Sequence, residues 1–203
     1  VLEIANQEGG DWKRFEARIR KEYFEKKSTS EYNKDKLADN TKLAMIAYEL
    51  IDRDANLTAF GEKLYNLRHN EKKIHEELAK HILLHLQGMN LIKCIQDMTS
   101  SGEKVNLTTI RKGLQLRGIH YPKGGKHPSI MRLWLEKAGV FAKGTWRVNE
   151  NKVEELLKIR SEQFEGLSVL SDEQKAFLLA LVNTGKQEPQ PANEIVKLAS
   201  AAY

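Results

Sequence analysis

The sequence predicts a mainly α protein with small β-hairpins, built as tandem winged-helix modules in which a helix-turn-helix is followed by a wing. Three observations predict it. Apolar residues recur at three- and four-residue spacing along most of the chain. Capping residues, glycines and a proline cut that pattern into helices of ordinary length. Twice, a short segment of β-propensity with turn residues follows a helix, around Leu57 and again in VFAKGTWRVN.

Composition sets the frame. The 203 residues are 40% hydrophobic and 30% charged, a globular composition with room for one large or two to three small domains. No apolar run approaches the ~20 residues of a membrane span. The opening VLEIANQEGG lacks the basic region of a secretion signal, so the expectation is a cytoplasmic protein with no membrane partner. A single cysteine, Cys94, excludes an internal disulfide framework and a multi-thiolate metal site. The missing initial Met reads as a fragment or processed form.

Segment 12–27 carries Trp12, Phe15, Ile19 and Tyr23 on one helical stripe. The polar stretch from Ser28 to Lys36 is expected to break it, with Asn40 capping a helix that buries Leu43, Ile46, Leu50 and Ile51. A strand at Leu57 and a helix with Phe60, Leu64 and Leu67 close a first module, residues 1–70. The second, 71–166, opens with EKKIHEELAKHILLHL, which Gly88 is expected to end. Helix 89–99 follows, then a helix capped at Asn106 or Thr108 and ended by Gly118. Pro128 starts SIMRLWLEKAG, with Met131, Trp134, Leu135 and Ala138 inward and Ser129, Arg132, Leu133, Glu136 and Lys137 outward. Residues 140–148 make the wing, and helix 150–165 completes the unit. Residues 167–203 begin a third module, with a capping box at Ser171 and Gln174, that stops before a recognition helix or wing.

Charge points to function. Residues 101–149 hold ten basic side chains against two acidic ones, whereas the rest of the chain is neutral to acidic. Concentrated positive charge fits a phosphate-binding surface. Lys123, Lys126 and His127, with Tyr121 and two glycines, lie at the N-terminus of helix 128–138, where free N–H groups favour phosphate. Ser129 and Arg132 occupy the first turns, where recognition helices reach base edges, and an arginine can pair bidentately with guanine. Lys143 and Arg147 on the wing are placed for the neighbouring backbone or minor groove. Arg111, Lys112 and Arg117 sit on the preceding helix, which crosses the phosphates in this motif. Lys13, Arg14 and Arg18 form a second basic-aromatic patch with Trp12, diluted by Glu16 and Glu22.

Other chemistry is not supported. His81 and His85 share a helical face, yet no H-E-x-x-H motif forms. Glu173-Gln174-Lys175 has the spacing of a nuclease E-x-K element but opens a helix. There is no P-loop and no nucleophile elbow. The chain itself is therefore expected to hold no cofactor, metal or catalytic site.

The segments LTAFGEKLYNL and EKKIHEELAKHILLHL, the unit ending RLWLEKAGVFAKGTWRV, and SDEQKAFLLALVNTG together resemble the recognition regions of type IIS restriction endonucleases. That resemblance implies winged-helix modules that bind double-stranded DNA beside a separate nuclease domain in the same polypeptide, with Mg²⁺ as the nuclease's metal. A winged-helix transcriptional regulator, or a winged-helix scaffold that binds protein, remains open beside it.

Overall fold

The structure is a computed structural model that describes residues 1–119 and 127–160, together with Gln174 and Phe177. It is mainly helical, with nine α-helices and no strand among the described residues. The chain divides into two compact units, Val1–Glu77 and Leu78–Tyr203, the division falling inside a helix. The expected third module lies outside the described residues apart from Gln174 and Phe177, both helical.

The first unit begins with α1 (Leu2–Glu8), whose Ile4 and Ala5 are buried although the sequence pattern did not mark it as a helix. Asp11 caps α2 (Trp12–Ile19), accepting from Lys13 N and Arg14 N, and a π-helical turn at Arg20–Phe24 extends it. Helix α3 (Glu31–Ala47) corrects the sequence reading twice. Its cap is Ser30, which accepts from Asn33 N at 3.3 Å, so Asn40 lies mid-helix and the polar stretch is helical. The polar residues fit because Lys34 lays its stem in the core margin while its ammonium bonds Glu31 at 2.8 Å. The helix then stops early: Glu49 is left-handed at φ 58, which turns Leu50 and Ile51 out of the helix. Thr58 caps α4 (Ala59–Asn66). Ile4, Phe15, Ile19, Ala38, Met45 and Ile51 form the core.

Helix α5 (Glu71–His85) runs from the first unit into the second, where it buries Leu78, Ala79, Ile82 and Leu83. Gly88 does not end it. Gln87 takes the left-handed turn at φ 66, and Gly88 starts α6 (Gly88–Ser100). Glycine is needed there for contact, since a Cβ would lie 2.5 Å from the Ile82 carbonyl oxygen. Asn106 caps α7 (Leu107–Leu116) in a reciprocal box with Thr109. Helix α8 (His127–Lys137) packs against α7, and α7 against α6. Asn149 caps α9 (Glu150–Leu157), which ends where Lys158 turns left-handed, short of the helix 150–165 in the sequence reading.

Neither expected hairpin forms a two-stranded ladder. Each is a loop closed by one isolated antiparallel bridge, Ile51 with Leu57 and Phe141 with Val148. The reason is how soon helix resumes on either side: Glu49 and Thr58 bound the first loop as left-handed turn and cap of α4, and Gly139 and Asn149 bound the second as left-handed turn and helix cap, leaving no extended residues for a second rung. The two loops share a wiring pattern. Leu50 N to Met45 O, Asp52 N to Asn56 O and Thr58 N to Leu50 O in the first unit match Val140 N to Leu135 O, Ala142 N to Arg147 O and Asn149 N to Val140 O in the second. Each unit thus repeats one device: a helix, a left-handed residue, a bridged loop, and a capped helix.

Candidate nucleic-acid interface

The second unit positions its basic residues on α7, α8 and the bridged loop. Gly113 brings α7 onto α6. A Cβ there would lie 2.6 Å from both Cys94 Sγ and Met98 Cε. The Cys94 thiol is buried, points its Sγ at Ile110 O at 3.8 Å, and is pushed up in pKa by that burial. It packs as a small hydrophobe. With Ile110 and Leu114 held inward, Lys112 is exposed on the opposite side of α7, and Arg111 is half-buried. Arg117 at the end of α7 is ion-paired with Asp97 of α6, which Lys93 also approaches at 3.3 Å. Arg117 therefore ties α7 to α6.

Arg132 is likewise engaged. Its Nη1 donates to Glu136 Oε2 at 2.9 Å and to the Thr145 carbonyl at 3.4 Å, and its guanidinium lies 5.5 Å from the Trp146 ring. Its side chain is only 18% exposed. Glu136 Oε2 also accepts from Gly144 N at 2.9 Å. Trp146 meets Phe141 edge-on, with centroids 6.0 Å apart. Arg132, Glu136 and Trp146 thus brace the bridged loop against α8. The sequence reading missed Glu136 as the centre of this brace. The signal available was its i,i+4 spacing from Arg132.

Around the brace the remaining cations face solvent. Lys137, Lys143 and Arg147 are exposed, and none forms an ion pair among the described residues. Gly144, left-handed at φ 71, holds the loop tip beside Lys143. Ser129 is half-buried on α8. Tyr121, Lys123 and Lys126 lie outside the described residues. His127 is the first residue of α8. A cleft of about 200 Å³ opens beside the loop, between Gln96 and Thr99 of α6, Trp146, Arg147 and Glu150.

The other basic patch is wired internally. Arg14 Nε lies 3.3 Å from Glu8, and Arg18 bridges Glu8 at 2.9 Å and Glu22 at 2.8 Å. Lys13 sits 5.9 Å and Lys42 4.2 Å from the centroid of the Trp12 ring. Lys42 also pairs with Glu16 and Asp39. His81 and His85 bring their rings to 5.0 Å, and no group of three or more metal-ligating side chains gathers among the described residues.

No family model, no curated protein and no solved structure matches this chain. The reading of its function rests on its own residues.

Proposed function

We propose that the second unit recognises double-stranded DNA as a winged-helix module, with α8 entering the major groove and the bridged loop acting as a short wing. The observation that carries this reading is the set of exposed cations Lys112 on α7, Lys137 on α8, and Lys143 and Arg147 on the bridged loop, in a segment where basic residues outnumber acidic ones by ten to two. Support also comes from the packing order of α6, α7 and α8, which suits a helix-turn-helix. The resemblance to type IIS restriction endonucleases extends the proposal to a parent nuclease whose catalytic domain and Mg²⁺ lie outside this chain. Arg132 and Arg117, being ion-paired, serve the scaffold in this reading, and phosphate contact falls to the unpaired cations.

Fluorescence anisotropy with a labelled duplex, titrated across salt, tests it. Each phosphate neutralised contributes about −0.9 to the slope of log K against log salt. We expect a slope steeper than about −2.7, the value for three contacts. A flat response overturns the reading.

A further inference from the structure

We infer that Leu133 reads the 5-methyl group of thymine, so that the target site contains a thymine recognised by an apolar contact. This inference rests on the DNA reading above. Helix α8 buries Met131 and Leu135, and Ala138 just past its end is buried as well. Leu133 lies on the opposite side and is 51% exposed, one of several exposed large apolar side chains and the one placed on the outer face of α8. At 100° per residue, it stands at the centre of the solvent face, between Ser129 and Lys137 at i−4 and i+4. When a helix enters the major groove, the residue at the centre of its outer face comes nearest the base edges. The side chain expected to read a base from the sequence, Arg132, is turned to the flank and held by Glu136, Thr145 and Trp146. The central group offered to the groove is therefore apolar.

The major groove presents one apolar group, the thymine methyl; its other edge atoms are hydrogen-bond donors and acceptors that a leucine would leave unpaired. Lys137, one turn further along the same face, is exposed and set for the adjacent phosphate or a guanine edge. Charge complementarity with the surrounding cations commits the occupant to a nucleic acid rather than to an apolar protein surface.

The test uses the whole 203-residue chain. A site is selected from a randomised duplex library, then resynthesised with each thymine replaced singly by deoxyuridine, which removes only the methyl. We expect one replacement to weaken the wild-type chain about fourfold, the worth of one buried methyl group. Leu133→Ala should bind the thymine duplex about fourfold more weakly and be indifferent to the replacement. Leu133→Met should retain the sensitivity. Because Leu133 is exposed, the thermal midpoints of both variants should stay at the wild-type value, so that weaker binding is not a sign of misfolding. A selected site without thymine, replacements that are all neutral, or a sensitivity that persists in Leu133→Ala overturns the inference and leaves the DNA reading standing. No duplex binding at any salt overturns the DNA reading, and this inference with it.

Discussion

Arg132 shows how one acidic neighbour changes the role of a basic side chain. From sequence it is an outward cation on a recognition helix; in the fold, Glu136 draws it onto the loop. Glu136 Oε2 serves two donors, Arg132 Nη1 and Gly144 N, both at 2.9 Å. Both side chains are about one-fifth exposed, so their attraction is screened less than that of a fully solvated pair. A double-mutant cycle isolates the interaction. Arg132→Met keeps an unbranched stem without the guanidinium, and Glu136→Gln keeps an acceptor for Gly144 N. We expect each single variant to lower stability in thermal unfolding, with a coupling of about 0.5 to 1 kcal/mol between them. Strict additivity would mean that Arg132 does not brace the loop and is available to DNA.

At the scale of elements, the legible parts were those written in local signals. Asn106 caps the helix that follows it, and the helices centred on Ile82, Leu114 and Leu135 carry clear apolar stripes. What failed depended on tertiary contact. The polar first half of α3 shows almost no amphipathic pattern, and it is held by the Ser30 cap, the Lys34 stem and a fully buried Ala38. Glu49, Gln87 and Lys158 take left-handed turns that no glycine marks, so those helix ends went unread, and Gly88, expected to end α5, instead starts α6. Gly61 is required for space rather than for backbone freedom, since a Cβ would lie 2.0 Å from the Leu50 carbonyl oxygen. In the candidate site, the exposed cations were legible and their division into paired and unpaired was not, because the pairing partners Asp97 and Glu136 act through the fold.

The first loop carries a pH-dependent part of its own stability. Asp52 Oδ1 accepts from Asp54 N and Asn56 N at 2.9 Å, and Oδ2 from Asn56 Nδ2 at 3.0 Å. The Asn56 side-chain hydrogen bond, with the backbone donors, holds its carboxyl below the ordinary aspartate value. A carboxyl depressed in the folded state stabilises fully above its unfolded value, about pH 4, and loses that contribution as pH falls through the lower folded value. Thermal midpoints should therefore be insensitive to this group from neutral pH down to about pH 5 and fall in more acid solution. Asp52→Asn, which cannot ionise, should show a smaller acid loss. Equal losses in both chains would exclude the turn as a source of acid sensitivity.

Across the whole molecule, the repeated device carries opposite chemistry at its two tips. Asp52-Arg53-Asp54 stands where Ala142-Lys143-Gly144 stands in the second unit. The same contrast holds for the units themselves. Residues 1–77 carry fifteen basic and sixteen acidic side chains, while 78–203 carry eighteen and twelve. Exposed cations occur in both, Lys13, Lys21 and Lys26 in the first and Lys137, Lys143 and Arg147 in the second. If attraction to DNA arose from net charge alone, removing three cations from either unit would weaken binding alike, since both changes lower the chain's charge equally. If it arises from phosphates seated around α8, only the second set matters. Replacing Lys137, Lys143 and Arg147 with Ala should reduce the magnitude of the salt slope by about three, roughly one for each phosphate no longer neutralised. Replacing Lys13, Lys21 and Lys26 should change it by less than about one, a long-range effect that the Debye length of about 8 Å at physiological salt suppresses. Equal reductions in the two triple variants would show diffuse electrostatic attraction, and the groove-binding role of α8 would fall with the difference.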